Sequence, residues 1–409
     1  MNRASMVRLV AFGIIGLGAA LTIAALLLST YTAGKIRKVP LSLDETLVSG
    51  GTGTALDPAS LSGERFIIDR DVPLVSQKAV SVETPANAEV VTLQVGTTVR
   101  RTDKQQDNGL LLAMVDTVTI NRSTAEAVSD DSRPGGSVQK PRTIADDKPS
   151  TNIALPHSGL TYRFPFDTEK RSYPLFDPIA QKAFDANYDG EDDVNGLGTY
   201  RFTQNVGYDA DGKLLEPIKY ASLYDRDEDG EVTARAGLWG LPGDPYEPIT
   251  MTRFYAAQRT FWVDPVSGTI VKEKERANHY YARDPLKPEM ELADYTVTST
   301  EQTVESQVAS ARTERDRLAL WSRILPIGLG ATGIVALVGG ALLGLFSMRV
   351  EEAVAQPGVG DSDRALGDLE LGLFGRDETG PMPAAQAPTE KIPTRRPPTG
   401  RPEPPPPRR

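Results

Sequence analysis

Two uncharged apolar runs decide what this chain can become. The first is Leu9 to Tyr31, LVAFGIIGLGAALTIAALLLSTY, and the second is Ile324 to Met348, ILPIGLGATGIVALVGGALLGLFSM. Each exceeds the roughly 20 apolar residues that an α-helix needs to cross about 30 Å of hydrocarbon. A cleavable leader has a shorter apolar core, about 7–15 residues, and ends at a small-x-small site. Here the run is longer and Thr32-Ala33-Gly34-Lys35 matches such a site poorly, so the first run reads as a retained anchor. Two transmembrane helices, 9–31 and 324–348, therefore flank the long central segment.

Small residues recur at four-residue spacing in both runs: Gly16, Ala20 and Ala24 in the first, Ala336, Gly340 and Gly344 in the second. Such faces let helix backbones approach closely in lipid. They predict that the two helices pack on each other or that each pairs with a copy of itself.

Between the helices the composition is that of a water-exposed protein. Over the 409 residues 24% are charged and 39% hydrophobic, close to the soluble average. The net charge of −10 argues against a nucleic-acid partner, since phosphate binding needs a basic face. There is no cysteine, hence no disulfide, thiolate ligand or thiol nucleophile. Flanking charges are indecisive about sidedness. Arg3 and Arg8 face Lys35, Arg37 and Lys38 across the first run, and four arginines precede the second. The positive-inside rule governs short loops, and the segment between the runs is far longer.

That segment, 40–298, carries strand and turn signals. Thr92 to Val99 is rich in β-branched residues, while VDTVTI (Val115 to Ile120) and Thr199 to Val206 alternate with period two. Arg253 to Val263 and Thr269 to Tyr281 flank Asp264-Pro265-Val266-Ser267-Gly268, a hairpin with Pro and Gly where a turn uses them. Strands at this spacing predict a mainly β ectodomain, an antiparallel sandwich or barrel, flanked by two transmembrane α-helices. From 299 to 323 the period becomes helical. Ser299 to Gln302 predicts a capping box, and a juxtamembrane helix then runs on into the lipid with Trp321 near the interface. The tail, 349–409, is Pro-rich and reads as extended and disordered.

Chemistry is sparse. Asp225-Arg226-Asp227-Glu228-Asp229-Gly230-Glu231 matches the opening of a calcium loop, with Asp225, Asp227, Asp229 and Glu231 as candidate Ca²⁺ ligands. Asp185-Ala186-Asn187-Tyr188-Asp189-Gly190 is a second, weaker match. The bidentate Glu at the twelfth position is replaced by Ala236 and Gly196 respectively. No H-E-x-x-H, G-x-S-x-G or phosphate-binding glycine loop occurs, and the two histidines, His157 and His279, read as surface or packing residues. No catalytic residue or other cofactor is expected, and the chain reads as a non-enzyme.

One stretch is more specific. His157 to Pro178, HSGLTYRFPFDTEKRSYPLFDP, resembles the signature of an actinobacterial envelope family labelled porin PorA. Asp193 to Phe202, Trp262 to Gly268 and Ser49 to Asp57 are similar to it too, in the right order; Phe176 stands where that pattern has Trp. The resemblance implies an inner-membrane protein with a cytoplasmic N-terminus (1–8) and tail, a periplasmic β-rich domain, and a link to trehalose mycolate trafficking. It also implies an envelope lipid and an inner-membrane lipid exporter as partners. The function expected is then a factor that binds or transfers a mycolate-class lipid through an apolar tunnel. Long tails cannot cross water unaided when each exposed methylene costs about 0.8 kcal/mol. A structural scaffold of the envelope machinery and a pore are the alternatives. Outer-membrane barrels cross with short alternating strands rather than with long apolar helices.

Overall fold

The computed structural model describes residues 3–129, 135–140, 151–220 and 229–355. The tail beyond 355 lies outside them. The chain opens with α1 (Arg3–Leu27), a π turn (Leu28–Thr32) and the short α2 (Ala33–Ile36). The strands are β1 (Asp44–Leu56), β2 (Ile68–Glu83), β3 (Val90–Arg101), β4 (Leu110–Asn121), β5 (Gly136–Lys140), β6 (Thr151–Ala154) and β7 (Tyr173–Asp177). Then come β8 (Lys182–Val194), β9 (Leu197–Val206), β10 (Ile218–Lys219), β11 (Glu231–Arg235), the one-turn α3 (Ala236–Trp239), β12 (Pro248–Val263), β13 (Ile270–Ala282) and β14 (Met290–Ser299). α4 (Glu301–Ala319), a second π turn (Leu320–Ile324) and α5 (Leu325–Ala355) complete the described chain.

All the strand pairs are antiparallel and form a single sheet, in the order β6-β5-β4-β3-β2-β1-β14-β13-β12-β9-β8-β7 with β10 and β11 also on β12. The sequence-based expectation of a mainly β domain between two apolar helices is met. The sheet is not closed into a barrel, because β6 and β7 do not pair. Single bridges nevertheless run from Ile120 on β4 to Ala127, from Glu126 to Leu160, and from Leu160 to Leu175 on β7.

The first and last strands meet in the middle of the sheet, with Ser49 opposite Ser299 and Ala55 opposite Ala293. That register brings the two chain ends, and with them both apolar helices, to one end of the domain. Glycine is required there: a Cβ on Gly51 would collide with the Thr296 carbonyl. Thr300, not Ser299, caps α4, its hydroxyl accepting from the Thr303 amide. Ser299 is still strand, its hydroxyl engaged by the Glu273 backbone.

α1 and α5 pack on each other. A Cβ on Gly18 would lie 2.7 Å from the Gly333 carbonyl, and one on Gly333 would lie 2.6 Å from Thr22 Oγ1. The α1 face in contact is Ala11, Gly18, Thr22 and Ala25, whereas Gly16 has open space around it. The four-residue stripe expected on α1 is therefore not the seam. Ala11, Gly18 and Ala25 recur every seven residues, as do Gly333 and Gly340, which is the period of a left-handed crossing. Gly340 and Gly344 do face α1 as expected, against Ile15 and Ala11.

Candidate functional site

Alternation along the central strands sends one set of side chains to the inner face of the sheet. On β12 this set includes Arg253, Tyr255, Ala257, Arg259 and Phe261; on β13 it includes Glu273, Glu275, Ala277 and His279. Two chambers lie along that face. The one nearer the helices, about 130 Å³, is lined by residues of nine strands and the loops beside them and by Gln307 of α4, most of them apolar or aromatic. The second, about 350 Å³, lies toward the other end and is lined by Leu56, Phe66, Trp239, Met290 and Leu292 among others. Val99, Leu112 and Tyr295 border both.

Arg259 and Glu275, which border the first chamber, belong to a buried charged cluster. Asp177, fully buried, accepts from Arg259 Nη1 at 2.6 Å, from the Tyr255 hydroxyl at 2.9 Å, and from the Ile179 and Ala180 amides at 2.8 Å each. Arg259 Nε donates to Glu275 Oε1 at 2.7 Å, and Gln204 adds a contact at 3.3 Å. Burial alone would push the Asp177 carboxyl up, but the Arg259 guanidinium and these donors hold it below the usual carboxylate range. Burial raises the Tyr255 hydroxyl well above its ordinary value. Close by, Lys78 and Glu273 pair at 2.8 Å.

A second network involves the first histidine. His157 Nε2 is 3.1 Å from Asp116 Oδ1, its Nδ1 is 3.3 Å from Thr161 Oγ1, and Tyr162 donates to Asp116 Oδ2 at 2.6 Å. The imidazole stacks on Phe176 with ring centroids 3.9 Å apart. All of these groups already have partners inside the protein.

The domain is also fastened to the helix that leads into the lipid. Arg163 donates to Glu314 at 2.6 Å and to the Ser267 carbonyl at 2.8 Å, and Arg315 Nε donates to the buried Asp264 at 2.6 Å. Val304, Val308 and Ala311 of α4 pack on Val194, Leu197 and Val271. The Asp264–Gly268 turn expected from the sequence is thus the docking point for α4, with Gly268 at φ 77° closing it.

These motifs, HSGLTYRFPF, YPLFDP and WVDPVSG, converge here, and a family model described as Porin PorA matches residues 10–342. The chain belongs to the Porin PorA family. A protein named Porin PorA from Corynebacterium amycolatum is 29% identical over 390 residues, covering 82% of this chain and 98% of the relative. Another of that name, from Corynebacterium resistens, is 28% identical over 417 residues, covering 85% and 98%. The lipid-carrier function expected from the sequence is overturned by these relatives, which are named as porins; their name supports the pore alternative. The apolar interior is what a large sheet needs for its core.

Of the candidate calcium ligands, Asp225 and Asp227 lie outside the described residues. Asp229 turns back to accept from the Glu231 amide at 2.8 Å, and Glu231 pairs with Lys219 at 2.8 Å. The second match is no loop at all: Asp185, Asn187 and Asp189 alternate along the outward face of β8, and Asp189 pairs with Arg201 at 3.0 Å. Both histidines are buried, 3% and 4% exposed, and neither is a surface residue. Sequence reading passed over Asp177, Arg259, Glu275 and Asp116. The available signal was a charged residue at the inward phase of an apolar alternation, as at Arg259 between Ala257 and Phe261.

Proposed function

We propose that this protein forms a pore in the inner membrane, with the helix pair as its wall element and the β domain standing on the periplasmic side. The observation that carries it is where the lipid-compatible surface lies. Two helices, Ser5–Tyr31 and Glu301–Arg349, contain windows long and apolar enough to cross a membrane. The sheet turns carboxylates such as Asp185, Asp189 and Glu191 outward, which a lipid-facing strand does not tolerate. Two helices enclose no channel, so the conducting unit is an assembly of several copies. The relatives' name, porin, supports the activity, and crossing by apolar helices supports the inner membrane.

Planar-bilayer recording from purified full-length protein tests the reading. Discrete conductance steps are expected. They should be lost in Gly18→Leu, which forces α1 from α5, and kept in Gly16→Leu, where the space is open. Protein that inserts yet never conducts would sink the proposal. Tag accessibility at a β-domain loop tests the side: labelling by an impermeant reagent from the cytosolic face would refute the periplasmic placement.

A further inference from the structure

The second chamber contains polar atoms that the fold leaves unanswered. His279 borders it, 4% exposed, and its Nε2 has no hydrogen-bond partner. Arg253 borders it as well, and its Nε is buried without a partner. Buried polar groups almost always find partners, so two orphans on one cavity call for an explanation.

The local network fixes what these atoms offer. The Tyr220 hydroxyl is 2.8 Å from His279 Nδ1, and the Arg253 guanidinium lies 4.8 Å from the centroid of the Tyr220 ring. Arg253 also hydrogen-bonds the Tyr220 side chain, and a guanidinium can only donate, so the phenol oxygen accepts from it and the phenol hydrogen points to Nδ1. Nε2 then carries the imidazole hydrogen as a donor. Burial and the neighbouring arginines depress the imidazole to about 3, which keeps the ring neutral at physiological pH. Two N–H groups, one of them cationic, thus lie in the wall of a chamber otherwise lined by Leu56, Phe66, Trp239, Met290 and Leu292.

We propose that this chamber is a binding site for a small organic anion with an apolar body, its carboxylate or similar acceptor taken by His279 Nε2 and Arg253. The volume, about 350 Å³, sits at the lower end of the ~300–1,000 Å³ that small-molecule sites occupy. The body that fits is a ring pair or short branched chain, set between Trp239 and Met290. The site is separate from the helix pair, so it stands or falls independently of conductance.

The probe is 2-naphthoate, titrated onto the full chain in phosphatidylcholine nanodiscs with empty discs as the blank. Binding is read by calorimetry and by quenching of tryptophan fluorescence. Saturable one-to-one binding is expected, with the quenching abolished in Trp239→Phe and retained in Trp262→Phe. His279→Phe should weaken binding at least tenfold. Naphthalene, which lacks the acceptor, should bind at least tenfold more weakly to the unaltered protein, a comparison that needs no variant to fold. No saturable binding above the blank, equal binding of naphthalene and naphthoate, or a folded His279→Phe within twofold of the parent would each overturn the proposal.

Discussion

Two buried polar clusters sit on the same face of the same two strands, and they are finished differently. At one end Arg259 of β12 stands opposite Glu275 of β13, and Asp177 reaches in from the end of β7. Every polar atom of that arginine has a partner within 3.3 Å. At the other end Tyr220 meets His279, with Arg253 nearby, and among the described residues no carboxylate completes the set; His279 Nε2 and Arg253 Nε are left over. The closed cluster holds the sheet together where β7, β9, β12 and β13 converge. The open one is built with the same residue chemistry but stops short of satisfaction beside the larger chamber. The proposed anion would supply the acceptor that the open cluster lacks.

Removing the arginine from each cluster should expose the difference most strongly. Arg259→Met leaves Asp177 and Glu275 buried and unpaired, which costs about 3–5 kcal/mol. Adding Glu275→Gln should return part of that loss by removing one stranded charge. Arg253→Met deprives no carboxylate in the described network and should cost within about 1 kcal/mol. Urea unfolding of the full chain in detergent measures both. Equal losses at the two sites would erase the distinction between them.

Acid should separate the clusters next. His279 stays unprotonated in the folded state down to about pH 3, whereas an unfolded chain takes up that proton near the ordinary value of 6.5. The folded value is the lower one, so stability is full above pH 6.5 and falls as pH drops toward 3. At about 1.4 kcal/mol per pH unit the loss between pH 6.5 and 4 is on the order of 3 kcal/mol. Asp177 is also depressed, from an ordinary value of 3.8, so its contribution is present above that value and disappears only at lower pH, through the folded value. The open cluster should therefore weaken first. In His279→Phe the unfolding midpoint should lose most of its slope between pH 6.5 and 4; an unchanged slope would remove His279 from the account.

Much of the architecture was legible beforehand because it depends on short-range signals. Uncharged apolar runs locate α1 and α5, and the alternation at Thr199 to Val206 and the turn at Asp264 to Gly268 locate β9 and the β12–β13 hairpin. The seam between the helices was misjudged on α1 because small residues repeat there at both four and seven, and only packing chooses between Gly16 and Gly18. The polar interior was illegible for a different reason. Asp177 meets Arg259 across 82 positions of chain, and His157 meets Asp116 across 41, contacts that follow from strand order rather than from local pattern. The D-x-N-x-D motif at Asp185 misled in the opposite direction: a spacing suited to a loop is also the spacing of one face of a strand.

The finest test of the comparison is a single hydroxyl. Tyr220→Phe deletes the donor that holds His279 Nδ1 at 2.8 Å and keeps the ring, which packs edge-on against Tyr255. Its cost to stability should be about 1 kcal/mol, the net worth of one ordinary hydrogen bond. Its effect on the open cluster reaches further, because the imidazole hydrogen is then free to move to Nδ1, leaving Nε2 with a lone pair facing the chamber. Naphthoate affinity should fall several-fold while naphthalene affinity stays as it was, since the apolar walls are untouched. The same substitution should leave the closed cluster alone, because Asp177 and Arg259 take their phenolic contact from Tyr255. If Tyr220→Phe shifted both affinities together, the phenol would be shaping the cavity wall rather than setting the tautomer, and the polar half of the site would lose its basis.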